Sequence, residues 1–438
     1  MSDYMFMLDS HLNGGQAKAL AAVRDAAEEA GLNLFLTGGA MRDMMGGRPI
    51  RGLDFTLEGG SVKFAKSVAH KANAEVVSVD ELRKSVELLF PENVRVILSP
   101  AHQERYPRPA AKPQIQPSTI HEDLRGRDFT VNAIALSLGK ASRGLLLDPT
   151  NGLGDLARRE LRAVSSHTLY DDPSRLFRLL RLKIRLGFQI DERTQAQYDH
   201  VIEAGLQTKI PQEALRHEVR QIAHEPLPGD ILHALDEAGL LAVISPTLAG
   251  AKLNIAGFQK LQKLQQSLGN DFHERAESQH LFFYLLLEKL TPRERSQVTK
   301  ALGLEKSDLQ VSTKLEAHSA KVEKELSAFK VNRPSGLYWF LSKVPDELLL
   351  FLLLRSKQRI VLDRLKNYYQ KYLPTAQEVT DAEVGEQGAE PGTPRFAKLR
   401  QQMITARLDA RPKKVVVEEL PPPPPTGPGR RSISILNR

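Results

Sequence analysis

Apolar positions along the first third of the chain switch repeatedly between helical and strand spacing. QAKALAAVRDAAEEA (16–30) carries them at helical intervals and stops at Gly31, which predicts a helix. NLFLTGG (33–39) predicts a short buried strand running into a glycine turn, and RGLDFTLEG (51–59) a second strand. SVKFAKSVAHKAN (61–73) reads as a helix, and AEVVSV (74–79), KSVELLF (84–90) and VRVILS (94–99) as further strands. A proline-rich stretch, YPRPAAKPQIQPS (106–118), predicts an extended loop before strand and helix signals resume in RDFTVNAIALSL and LLLDPTNGLGDL (145–156). The expectation is an α/β segment built on a small mixed sheet.

From residue 172 the spacing becomes helical. DDPSRLFRLLRLKIRLGF offers Asp172 as N-cap and Pro173 at the first helical position, with Leu176, Phe177, Leu179 and Leu180 as the apolar stripe. Helical patterns follow over 212–224, 230–242, 256–267, 276–290, 293–302, 305–327 and 346–372, with no strand pattern after about residue 165. Residues 374–392 are polar and glycine-rich, and RFAKLRQQMITARLD (395–409) predicts one amphipathic helix. The chain from 412 onward holds PPPPP (421–425) and basic residues, a composition that predicts a disordered tail.

Composition narrows the class. Of 438 residues, 41% are hydrophobic and 26% charged, as in an ordinary soluble protein, and there is no cysteine, which excludes disulfides and thiolate zinc sites. The most apolar runs, LFFYLLL (281–287) and LLLFLLL (348–354), are far shorter than the ~20 residues that span a bilayer. MSDYMFMLDS has no basic start followed by a long apolar run, so a cytoplasmic protein is expected. A net charge of +8 favours a polyanionic partner.

Two clusters carry candidate chemistry. Backbone N–H groups at Gly38 and Gly39 would approach phosphates closely at the start of a helix, with Arg42 one turn on; a glycine turn beside a surface arginine is the plain alternative. Asp172, Arg175, Arg178 and Arg181 recur every three residues, so one acid and three guanidiniums would read a base edge and clamp a triphosphate; an N-cap with a solvated basic face is the alternative. HEVRQIAHE (217–225) has Gln221 where a zinc protease needs its second histidine, and reads as a helix with polar residues.

Together and in order, GGAMRD (38–43), GLD (52–54), GRDFTVNA (126–133), DPTNGLGDL (148–156) and DDPSRLFRLLR (171–181) resemble the class II CCA-adding tRNA nucleotidyltransferases and bacterial poly(A) polymerases. The resemblance spans residues 30–245 and, more weakly, 390–409. It implies an α/β polymerase-β-like nucleotidyltransferase head (1–165), an all-α neck (166–245) and helical body (246–411), then the tail (412–438). It further implies transfer of CMP or AMP from CTP or ATP to an RNA 3′-hydroxyl, with tRNA as partner and magnesium as cofactor. The implied nucleotide contacts are Gly38, Gly39, Arg42, Arg127, Asp172, Arg175, Arg178 and Arg181, with Asp43, Asp128 and Asn132 supporting them. Asp54 would be the catalytic, metal-binding carboxylate.

The chain departs from the family at the metal. Two carboxylates at i and i+2 of one strand share a face and so reach one metal pair, but the partner position of Asp54 is Gly52. Ile97 and His102 align with a family acid and arginine, Gly126 replaces an arginine, and Asp171 a glutamate. The expectation is a weakened metal site with reduced activity, or a nucleotide- and RNA-binding paralogue that does not catalyse.

Overall fold

The computed structural model describes residues 3–60, 62–268, 279–304, 306–331 and 333–410. The tail expected to be disordered lies outside the described residues.

Two helices, α1 (Asp3–His11) and α2 (Gly14–Glu29), precede β1 (Asn33–Thr37). Asn13 caps α2 in a reciprocal box with Gln16. Gly38 turns out of β1 at φ 64°, a left-handed conformation that suits glycine, and α3 (Gly38–Met45) begins there. β2 (Leu53–Glu58), α4 (Val62–Lys71), β3 (Glu75–Asp80), β4 (Ser85–Phe90) and β5 (Val94–Pro100) follow. With β8 (Ala135–Ser137) and β9 (Leu146–Leu147) they form one seven-stranded sheet, ordered β3-β4-β5-β2-β1-β8-β9. β2 and β5 run parallel and the other neighbours antiparallel.

Strand alternation assigns the two faces. Leu53, Phe55, Leu57, Val86, Leu88, Val96 and Leu98 are buried on one, beneath α2 and α4. The other carries Asp54 and Thr56 beside Thr37 and Phe35, and α5 (Ile120–Arg125) covers part of it. There Phe35 packs with Ile120, Leu124, Ala133 and Ala135. Beyond α5 this face opens, and Ile97 is exposed.

The proline-rich stretch is more ordered than a loop. β6 (His102–Arg105) and β7 (Gln114–Pro117) pair antiparallel and make it a hairpin. α6 (Gly152–Arg158) and α7 (Thr168–Asp171) lead into α8 (Arg175–Leu186). α8 starts later than expected, because Asp172 is extended and its carboxylate accepts from Ser174 N–H (3.0 Å) and Oγ–H (2.6 Å), a local turn that replaces the first helical residues. Gln189–Ile190, paired with Glu160–Leu161, is a two-residue strand past the point where strands were expected to end. α9 (Glu192–Glu203), α10 (Gln212–Ala223) and α11 (Pro228–Glu237) pack around α8 or its flanks.

The chain divides into two units: Met1–Phe329 with Lys343–Lys366, and Lys330–Ser342 with the chain from Asn367 onward. Both apolar runs are buried helices of the first unit, Gln279–Leu287 and Asp346–Arg355. In the second, Pro334–Leu341 packs on Pro394–Asp409, and the polar, glycine-rich stretch holds the helices Leu373–Gln377 and Asp381–Glu386. Among the described residues no helix is long and apolar enough to cross a membrane.

Candidate nucleotide site

The glycine pair draws the first group of side chains together. Gly39 N–H donates to Asp54 Oδ2 at 3.0 Å, across the β1–β2 pairing that sets Thr37 beside Asp54. A Cβ on Gly38 would lie 3.1 Å from Asp54 Oδ2 and 3.3 Å from Arg127 Nη1, and one on Gly39 would lie 3.5 Å from Arg42 Nη2. Two glycines thus sit where two arginines and the strand carboxylate converge. Arg127 is fixed by Asp123 (2.9 Å), the hydroxyls of Thr56 (2.9 Å) and Thr37 (3.1 Å), and the Asn132 carbonyl (3.2 Å). Burial pushes the Asp54 carboxyl above the usual carboxylate range, against the Gly39 N–H, Arg127 and Arg42.

Arg42 is itself part of a closed ring. It donates to Asn132 Oδ1 (2.6 Å), Asn132 Nδ2 donates to Asp128 (3.0 Å), and Asp128 accepts from Arg178 (2.9 Å). Arg178 donates to Glu218 (2.9 Å), which lies 3.5 Å from Arg181, and Arg181 donates to Glu225 (2.7 Å). Glu225 lies 3.6 Å from Arg185, Arg185 pairs with Asp43, and Asp43 accepts from Arg42 (3.0 Å). Four guanidiniums alternate with four carboxylates and one amide, so the charges balance inside the fold. Burial alone would raise Asp128, but Arg178 and Arg175 hold it at about 2. Glu218 and Glu225 are likewise held low against burial, Glu218 chiefly by Arg178 and Arg181 and Glu225 by Arg51, Arg181 and Arg185. Burial first, then Arg42, brings Arg185 down to about 10.

Asp172 and Arg175 form a second group. Arg175 is buried, donates to the Thr168 carbonyl (3.2 Å), and lies 3.6 Å from Glu104 Oε2 and 3.7 Å from Asp172 Oδ2. Its Nε is buried without a hydrogen bond. Glu104, on β6, accepts from Arg83 Nε and Tyr106 O–H, both at 2.6 Å, and has His102 at 3.7 Å. These partners outweigh burial and keep its carboxyl well below the usual range.

Gly38, Gly39, Arg42, Asp54 and Arg127, with Asp43, Asp128 and Asn132, therefore sit together, and Arg178 and Arg181 join them through acids. Asp172 and Arg175 stand against the hairpin. Asp123, Arg185, Glu218 and Glu225 were not singled out from the sequence. The last two lie in the stretch read as a merely polar helix; their seven-residue interval, two helical turns, matches the Arg178–Arg185 interval and was the available signal.

The donor set does not fit a pair of divalent metals. Gly52 offers no side-chain oxygen, and Ile97 is the register partner of Asp54 on β5. Among the described residues no group of three or more histidine, aspartate or glutamate side chains is placed to hold a metal ion.

Residues 34–162 match the family model for the poly(A) polymerase head domain. An A-adding tRNA nucleotidyltransferase of Geobacter sulfurreducens is 24% identical over 93% of this chain and 47% of its own length. One from Halalkalibacterium halodurans is 30% identical over 60% of this chain and 62% of its own. A CC-adding tRNA nucleotidyltransferase of Deinococcus radiodurans is 34% identical over 51% of this chain and 59% of its own. The chain thus spans about half to three-fifths of the length of these relatives. The solved structure of a CCA-adding enzyme in its apo form II is alike in fold, with a TM-score of 0.53 at 21% identity over 93% of this chain and 95% of that one. The matched segment takes in most of the seven-stranded sheet, and helices follow it. The chain is thus similar to A-adding and CC-adding tRNA nucleotidyltransferases in sequence, to a CCA-adding enzyme in fold, and over residues 34–162 to the poly(A) polymerase head domain.

Proposed function

We propose that this chain is an RNA 3′-end nucleotidyltransferase of the CCA-adding or poly(A) type, with activity reduced by the loss of metal carboxylates at 52 and 97, and that it acts in the cytoplasm. The observation that carries this reading is the convergence of Gly38, Gly39, Arg42 and Arg127 on Asp54. The 3′-hydroxyl of the RNA attacks the α-phosphorus of CTP or ATP; the new P–O bond replaces the bond to the β-phosphate, and pyrophosphate leaves. The glycine N–H groups and arginines hold the phosphates, and Asp54, with its raised pKa, takes the hydroxyl proton. Asp172 and the buried Nε of Arg175 pair with the base. The residues present do not form a two-ion site for magnesium.

Ile97 beside Asp54 favours a second reading, a nucleotide- and RNA-binding protein that does not catalyse. Purified protein incubated with tRNA lacking its CCA end, labelled CTP or ATP, and magnesium or manganese separates the two. Slow incorporation is expected; none, despite measurable nucleotide binding, establishes the second reading. Arg175→Ala should weaken nucleotide affinity about tenfold, the loss of one charged hydrogen bond. Unchanged affinity removes Arg175 from the site.

A further inference from the structure

The strand register shows what stands where the acids are lost. Asp54 pairs with Ile97 on β5, and Ile97 with Glu87 on β4, so these three residues form one row across the exposed face. Gly52 lies beside Arg95, whose carbonyl oxygen and Cβ would sit 3.4 Å and 3.8 Å from a Cβ placed there. Arg95 is two residues before Ile97 on β5, so its side chain rises from the same face as Asp54. It is half-buried, and its Nη1 donates to Glu87 Oε1 at 3.0 Å, while Ser78 Oγ donates to the other Glu87 oxygen at 3.1 Å.

We infer that Arg95 contacts the nucleotide's phosphates at this site and makes triphosphate binding independent of divalent metal. The inference rests on the nucleotide-binding reading above. A two-carboxylate strand concentrates negative charge and must recruit metal before a triphosphate can approach. Here the corresponding surface presents two carboxylates, Asp54 and Glu87, kept apart by the apolar Ile97, with one bare glycine and one guanidinium that is paired with Glu87. A guanidinium on the same sheet face as Asp54 repels a divalent cation and attracts a phosphate, which its planar donors match. Gly52 places no side chain against the Arg95 Cβ, and in this inference the guanidinium exchanges Glu87 for a phosphate.

Glu87 makes the inference separable from a plain cross-strand brace. If the pair only stiffens the sheet, Arg95→Gln and Glu87→Gln act in the same direction. If Arg95 serves phosphate, Glu87 competes with the nucleotide, and the two substitutions act oppositely. Calorimetric titration with ATP and AMP, in EDTA and in excess magnesium, reads this out, with circular dichroism reporting folding. The wild-type protein should bind ATP in EDTA within about threefold of its affinity in magnesium. Arg95→Gln should lose about tenfold for ATP in EDTA and almost nothing for AMP, Arg95→Lys should recover part of the loss, and Glu87→Gln should tighten ATP severalfold. ATP binding that appears only with magnesium, or both glutamine variants weakening ATP, overturns the inference and leaves the nucleotide-binding reading standing. No ATP binding under either condition overturns both.

Discussion

Gly52 keeps its φ outside the left-handed region, and a side chain there would meet only the Arg95 backbone and Cβ at ordinary contact distances. The position can therefore accept the missing carboxylate without strain, and Gly52→Asp is expected to raise magnesium-dependent CMP or AMP incorporation at least ~10-fold, the scale on which ligand-sphere losses act. The measurement is initial rate on tRNA lacking CCA; an unchanged rate would show that Ile97 is a second, independent block. Asp128 offers a stability prediction. Its folded pKa of about 2 lies below the ~3.9 of an unfolded aspartate, so its contribution is fully present above pH ~3.9 and is lost as pH falls through about 2. The size is ~2 kcal/mol. Urea unfolding across pH 2 to 6 should show this slope, and Asp128→Asn should flatten it while lowering stability at neutral pH. An unaltered slope would mean that Arg178 does not hold Asp128. At this scale the sequence was readable where a motif names its own residues, such as Gly39, Arg42, Asp54 and Arg127. For Glu218 and Glu225 it held only their spacing, because the arginines they neutralise lie about 40 residues away in the chain.

Elements were legible where one period dominates. β1, β2, β4 and β5 alternate or bury both faces over five to seven residues, and their extents differ from the sequence reading only at the ends. Two elements escaped for opposite reasons. The start of α8 moved because Asp172, a good N-cap in principle, bonds Ser174 instead and closes a separate turn. The hairpin was hidden by its prolines, which fit an edge pairing of only four residues on each side. That hairpin gives an element-scale prediction. His102 Nδ1 faces the Pro100 carbonyl (2.9 Å) and Asp123 (3.7 Å), and its Nε2 faces Glu104 (3.7 Å). Burial lowers the His102 pKa, but Glu104, the Pro100 carbonyl and Asp123 raise it further, to a value above 6.5. The protonated imidazole therefore ties β6 to the head fully below pH ~6.5, and the tie is lost as pH rises through the raised pKa. Limited proteolysis of residues 102–117 should accelerate with pH over that window in the wild type, relative to cleavage elsewhere in the chain. His102→Gln should cleave at the fast rate throughout; a wild-type rate that does not follow pH removes His102 as the tie.

Across the whole molecule, two populations of charge do different work. The ring through Arg42, Asp128, Arg178, Glu218, Arg181, Glu225, Arg185 and Asp43 is neutral and mostly out of water, and it joins α3 to α8 and α10. The net charge of +8 must then come from side chains outside it. This division explains why the order of the family blocks was legible while their roles were not. Each block is short and contiguous, but Arg178 and Arg181, which the spacing presented as a phosphate clamp, are held by buried acids from a distant helix. Salt separates the two populations. Buried pairs are screened little, whereas contacts to RNA phosphates release counterions, with a slope of roughly −0.7 to −0.9 in log affinity per log salt for each phosphate neutralised. Filter binding of tRNA between low and physiological salt should therefore give a steep linear loss of affinity, corresponding to several phosphates. Urea unfolding over the same range should move little. A flat tRNA titration would remove the basic surface as an RNA grip, and an unfolding midpoint that falls with salt as steeply as binding would show that the ring is solvated rather than buried.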